Sequence, residues 1–300
     1  MARLEELNFG AFVEKRREAT RFAGEVDEPG SHAYAYLSDR TTRKTFERIK
    51  PVELAVAATV RSYKQFGKNQ MLGHAVKVSS RQFPRVHQIA QDCAETLGIA
   101  PPTVYIVNQP TLNAMTYGTN DDSFILVHSA LVDHLSDAEL RDVIGHECGH
   151  IHNNHVVYLT TLHYLQTISS LLTEYLVYPA IIALRAWTRR AEITCDRAGL
   201  LCSRDLEVAE RSLAKLALGS HKLYEQLDLE EFVNQFEEGQ EGPGRYMEVF
   251  ATHPYIPKRI LALRAFAESA LYRTHVGLGT DGLSMHAVDE KVHDIIKVVG

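Results

Sequence analysis

Apolar residues recur at helical spacing between residues 84 and 97, where Val86, Ile89, Ala90, Cys93 and Leu97 share one face and Gly98 supplies a stop. An Ala- and Val-rich run from Pro51 to about Gln65 predicts a further helix. The period then shortens. "PTVYIVN" (102–108), "AMTYG" (114–118) and "SFILVHS" (123–129) are β-branched or aromatic runs bounded by Pro, Gly, Asn and Asp, and they predict three strands, with "TNDD" turning between the last two. At "SDAEL" the helical period returns: Ser136 and Glu139 have the spacing of a capping box, which opens a helix to about His155. Helices are predicted at about 191–202, 206–218, 229–238, 244–250 and 258–272, whereas the tail from Thr274 carries weak signals. The fold class is therefore α+β, mainly helical, with a small three-stranded sheet against the 136–155 helix. Residues 1–50 form an N-terminal extension, 51–272 the domain and 273–300 a C-terminal tail.

Between Val156 and Trp187 the chain is apolar for long enough to span a bilayer. His163, Gln166, Glu174 and Pro179 interrupt it, and a charge at mid-membrane costs about 2.5 to 3.5 kcal/mol. A buried helix or helical hairpin is expected, with membrane association as the less favoured alternative. The N-terminal segment lacks the apolar core of a secretion signal.

Composition adds few constraints. With 300 residues, 45% of them hydrophobic, the chain can bury a large core. A formal charge of −6 gives no general attraction to nucleic acid, and none is expected as a partner. Four irregularly spaced cysteines do not make a disulfide framework, so a cytoplasmic protein is expected, with a peripheral membrane site as the alternative. The oligomeric state is left open, a homo-oligomer included.

The chemistry gathers in "ELRDVIGHECGHIHNNH" (139–155). On a helix, His146 and His150 stand one turn apart on one face, where two imidazoles can ligate one zinc ion, and Glu147 beside them can accept a proton from a zinc-bound water. Gly149 lets that helix pack closely at the site. A catalytic zinc takes a third protein ligand. In "WTRRAEITCDRAGLLC", Glu192 and Asp196 again share a helical face. Glu192 is the candidate ligand and Asp196 the candidate acceptor for a ligand histidine's free N–H. A salt bridge from Glu192 to Arg189, Arg190 or Arg197 is the alternative. His152 points away from His150, and His74, His87, His128, His134, His155 and His163 are read as surface or core histidines.

Taken in order, "DDSFILVHSALVDHLSDAELRDVIGHECGHI", "RRAEITCDRAGLL" and "THPYIPKRILAL" resemble the three signatures of the HtpX-like zinc metallopeptidases, gluzincins that include the CAAX prenyl proteases and soluble bacterial members. The resemblance covers roughly residues 78–266. It implies one catalytic zinc per chain on His146, His150 and Glu192, Glu147 as general base and acid, and His253 as the oxyanion donor, with Arg259 and Asp196 supporting the ligands. It also implies that substrate adds as a strand to the edge at "NAMTYG", engaging Asn113, Ala114 and Met115. The expected function is a zinc metalloendopeptidase acting on peptides or unfolded protein. A zinc-containing scaffold, or a membrane-associated module working through residues 156–187, is the rival. Residues 1–50 are expected as a lid or inhibitory segment, because the alternation in "SHAYAYLSDR" suits addition to the open sheet edge.

Overall fold

The computed structural model describes residues 33–46, 50–62, 73–168, 174–238 and 254–297. Helices α1 (Leu37–Phe46) and α2 (Lys50–Ser62) come first, followed by β1 (Ala75–Lys77), α3 (Pro84–Leu97), β2 (Thr103–Val107), β3 (Ala114–Gly118) and β4 (Ser123–His128). The elements described after β4 are all helices: α4 (Ser129–His134), α5 (Asp137–His152), α6 (Val156–Ile168), α7 (Glu174–Ser203), α8 (Leu206–Leu218), α9 (His221–Tyr224), α10 (Leu229–Glu238), α11 (Ile256–Ala267), α12 (Ala270–Val276) and α13 (Met285–Ile296).

The capping box forms at α5: Glu139 N donates to Ser136 Oγ, and Ser136 N donates to Glu139 Oε2. Lys215 Nζ of α8 donates to the same Glu139 carboxylate, so this cap also ties two helices together. At the other end Asn153 closes α5, its Nδ2 donating to Gly149 O.

Among the described residues the sheet has four strands in the order β1-β2-β4-β3, which corrects the expected three. The added strand, β1, has three residues and hides little of its surface, so it leaves no alternating pattern to read. Strands β2 and β4 run parallel, while β1 and β3 pair antiparallel at the two sides. Strand β3 is thus an edge, as the sequence suggests.

The apolar segment after His155 folds back on itself as α6 and α7, with Pro179 inside α7. The helix predicted at 191–202 is the C-terminal part of this 30-residue helix. No helix among the described residues is long and apolar enough to cross a membrane. Two helices replace the one predicted at 258–272. The chain breaks at Glu268 and Ser269, whose side chain caps α12. The tail contains a capped helix, α13, that buries Val288 and Val292. The helix predicted at 244–250 lies outside the described residues.

One core packs the sheet, α3, α5, the second half of α7, α8, α11 and α13 around Ile144, Cys148, Leu200, Ile260 and Phe266. A second joins α1, α2, α6 and the first half of α7 around Phe46, Val56, Tyr158, Leu184 and Trp187. Residues 33–46 belong to both: Tyr34 and Tyr36 enter the first core and Phe46 the second. They do not add to β3, because Tyr36 N donates to Thr194 Oγ1 of α7 and the chain then turns into α1.

Candidate metal centre and active site

Helix α5 crosses α7 so closely that glycine is needed at the crossing: a Cβ on Gly149 would lie 2.7 Å from Ala198 Cβ, and one on Gly145 would lie 2.7 Å from Cys202 Cβ. This approach brings His146 and His150 against Glu192 and Asp196. The two imidazole centroids lie 5.0 Å apart. His146 Nε2 is 3.5 Å from Glu192 Oε2, and His150 Nε2 is 3.5 Å from Glu192 Oε1. Both Nδ1 atoms face the other way, His146 Nδ1 toward Asp196 Oδ1 at 3.0 Å and His150 Nδ1 toward His155 Nδ1 at 3.2 Å.

That arrangement fits a metal. Ligand atoms at about 2.0 to 2.1 Å from a tetrahedral zinc lie roughly 3.3 to 3.4 Å from one another, close to the spacing of the two Nε2 atoms from the Glu192 carboxylate. A second donor set is also within reach, since atoms of His146, His150 and Cys195 lie within 4.8 Å of one another. The Cys195 thiol is the weaker candidate. Burial pushes its pKa well above the usual value, and the carboxylates of Glu192, Asp39, Glu147 and Asp196 push it further. Its Sγ also sits on the back of the site, 3.6 Å from His155 Nδ1. Glu192 already faces both Nε2 atoms.

Asp196 and Arg259 brace this set. Arg259 Nε and Nη2 donate to the two Asp196 oxygens at 2.8 and 2.5 Å, while Arg259 Nη1 lies 3.3 Å from Glu192 Oε2. Burial raises the Asp196 pKa, but Arg259 and His146 outweigh it and hold the carboxyl below its usual range. For His146, burial lowers the pKa, yet Glu192 and Asp196 lift it to about 9. The carboxylates here outnumber the guanidinium, a donor set that suits a cation.

Glu147 is buried at the floor of a cleft of about 520 Å³, and Thr116 Oγ1 of β3 donates to its Oε2 at 2.6 Å. Asn113, Ala114 and Met115 line this cleft together with Leu213, Leu216, Tyr255 and Ile256. His128 N donates to Asn113 O and Thr119 N to Asp122 O, so the odd-numbered residues of β3 are the ones bonded to β4. The backbone N–H and C=O of Ala114 and Thr116 therefore point outward, along an edge that no described strand covers. Next on that edge, Gly118 N already donates to Thr160 Oγ1 of α6. Of the three residues expected to bind substrate, Ala114 alone presents its backbone to an added strand.

Six predicted site residues thus meet: His146, Glu147, His150, Glu192, Asp196 and Arg259. His253 lies outside the described residues, although its neighbour Pro254 lines the cleft. The sequence reading misses Thr116, Asp142, His155 and Asp39. Thr116 carried a signal, since strand alternation puts it on the face of Ala114. His155, read as a surface or core histidine, is fully buried, and the chain turns through Asn154 at φ 60 to bring it behind His150.

A family model described as Peptidase family M48 matches residues 80–267. Among curated proteins, the plastoglobule-localized metallopeptidase 48, chloroplastic, of Arabidopsis thaliana is 35% identical over 176 residues, 55% of this chain and 49% of the relative. A protease HtpX homolog of Moorella thermoacetica is 26% identical over 223 residues, covering 63% of this chain and 74% of the relative. Another, from Halobacterium salinarum, is 29% identical over 103 residues, 34% of this chain and 36% of the relative. The match spans about half the length of the plastoglobule protein. No solved structure matches the chain.

Proposed function

The chain belongs to Peptidase family M48, and on that premise we propose that it is a zinc-dependent endopeptidase acting on extended peptide segments. One observation carries the reading: His146 Nε2, His150 Nε2 and the Glu192 carboxylate converge beside Glu147, under the open edge of a strand. His146, His150 and Glu192 would hold the ion, which when bound lowers the pKa of a water and polarises the carbonyl under attack. The remaining work falls to the chain's own side chains.

The substrate adds to β3 through the outward backbone groups of Ala114 and Thr116, so varied side chains are accepted. Glu147 Oε2, fixed by the Thr116 hydroxyl, takes the proton of the attacking water and returns it to the leaving nitrogen. Asp196 and Arg259 keep His146 in register. His253, whose sequence neighbour Pro254 lines the cleft, is the proposed donor to the oxyanion of the tetrahedral intermediate. Four free, buried cysteines suit a reducing compartment such as the cytoplasm.

The test is digestion of a mixed peptide library by the zinc-loaded protein, with Glu147→Gln alongside, read by mass spectrometry together with metal content. One zinc per chain is expected in both. Cleavage should be slower in the variant by about two to four orders of magnitude. Equal cleavage by the two proteins, or failure of the wild type to hold zinc, sinks the reading.

A further inference from the structure

Asp39 of α1 lies outside the residues that the family model matches, 80–267, yet it reaches the back of the metal centre. It is almost fully buried. Trp187 Nε1 donates to its Oδ1 at 2.7 Å and Thr194 Oγ1 to its Oδ2 at 2.6 Å. His155 Nε2 lies 3.1 Å from Oδ2. That nitrogen is buried and makes no well-aligned hydrogen bond among the described residues, so Asp39 meets it as a close charge contact at 3.1 Å. The His155 ring is wedged edge-on between Trp187 and His150, with centroids 5.2 and 5.4 Å away, so it has little room to turn.

The hydrogen-bond directions along this row follow from its two ends. A carboxylate only accepts, so His155 Nε2 carries the proton, and Nδ1 of the same neutral ring is left as an acceptor. Two groups face that lone pair, the Cys195 thiol at 3.6 Å and His150 Nδ1 at 3.2 Å; a ring N–H is the stronger donor and the nearer one, so His150 Nδ1 takes that part. That leaves the lone pair of His150 on Nε2, the atom that faces Glu192. The other histidine is held in the same sense by a single step, its Nδ1 donating to Asp196 Oδ1.

We propose that Asp39, acting through His155, is a positioning residue for His150: the row Asp39–His155–His150 fixes the tautomer and orientation in which His150 offers Nε2 to the metal. The N-terminal helix α1 is then part of the metal centre, built from a residue more than a hundred positions before its target. The inference rests on the reading of His150 as a zinc ligand. Outer partners of a ligand histidine govern metal affinity by about 10- to 100-fold.

The experiment measures the zinc dissociation constant of the full chain by competition with a chromophoric chelator, and the melting temperature of each metal-free protein. Asp39→Asn, His155→Leu and His155→Gln are compared with wild type. Gln can accept from His150 and donate to Asp39; Leu, of similar size, can do neither. Zinc affinity is expected to fall about 10- to 100-fold in Asp39→Asn and His155→Leu, and to stay within roughly threefold of wild type in His155→Gln. Should Asp39→Asn not fold, the His155 pair decides by itself. Equal zinc affinity in the Leu and Gln variants, or losses that simply follow the melting temperatures, overturns the positioning role and leaves the proposed metal site standing. Failure of the wild type to bind zinc overturns both.

Discussion

Asp142 precedes His146 by one turn of α5, and its carboxyl is buried against α7 and α8 rather than open to water. Burial pushes its pKa up, the Ser212 hydroxyl pulls it back, and Asp196 raises it again, so that it titrates at about 7. An unfolded aspartate titrates near 3.9. The folded protein therefore binds a proton more tightly than the unfolded chain between those values. This contribution is fully present below about 4 and is lost as pH rises through 7. Asp142→Asn keeps the shape and cannot ionise. Its stability relative to wild type should improve by about 3 kcal/mol between pH 5 and pH 8, at about 1.36 kcal/mol per unit. Denaturant titrations of the metal-free proteins at the two values check this, and a parallel pH dependence in both would show that Asp142 does not titrate in that window. Nothing in the sequence singles out Asp142, because its environment is made by Ser203 and Ser212 from other helices. His146, Glu147, His150, Glu192 and Asp196 are legible for the opposite reason: one helical turn sets their spacing, and the helix pitch is the same in every protein.

Between elements, the crossing of α5 and α7 decides whether the two halves of the site meet. Alanine at position 149 would favour the isolated helix by about 1 kcal/mol. In the folded protein its methyl would meet Ala198 Cβ at 2.7 Å, on a partner that cannot swing aside. Gly149→Ala should destabilise by about 1 to 3 kcal/mol, and Ala198→Gly in the same chain should recover part of it, since Cys195 Cα would still stand 3.2 Å from the new methyl; thermal melts of the single and double variants test that coupling. The close approach is readable from Gly149, but the identity of the partner is not. At the sheet edge, the reading of β3 as exposed holds, whereas the choice of residues needs the register. Only backbone pairing with β4 shows that Ala114 and Thr116 face outward and that α6 occupies Gly118. Ala114→Pro deletes one outward N–H without touching a bond to β4, a place where edge strands tolerate proline. It should lower kcat/KM for peptides about tenfold, the value of one hydrogen bond, with the melting temperature nearly unchanged. Undiminished kcat/KM would mean that substrate does not pair there.

For the molecule as a whole, the expected boundary near residue 50 and the packing differ in an instructive way. "SHAYAYLSDR" reads as alternating and hence as a strand, but Tyr34, Ala35 and Tyr36 are all buried and the chain then enters α1. Its partners are remote: Tyr36 N bonds to Thr194, and Arg197 Nη1 donates to Tyr34 O at 3.0 Å. Local periodicity carries no information about contacts across more than 150 positions, so the sequence makes an appendage of a segment that joins two cores. Removing residues 1–46 would strip Tyr34, Tyr36 and Phe46 from those cores and leave Trp187, His155 and Asn153 without their cover. Truncating one buried aromatic side chain costs about 3 to 5 kcal/mol, and the whole stability of a domain is about 5 to 15 kcal/mol. The shortened chain should therefore lack cooperative melting and bind no zinc, as circular dichroism and metal analysis would show. A cut that ends at residue 32 keeps α1 and its contacts, and it is the deletion suited to asking whether the residues before it restrain the cleft. Faster peptide cleavage by that shorter deletion would mark an inhibitory segment; an active, folded protein after the longer one would show that α1 is dispensable and that Asp39 has no part in the metal centre.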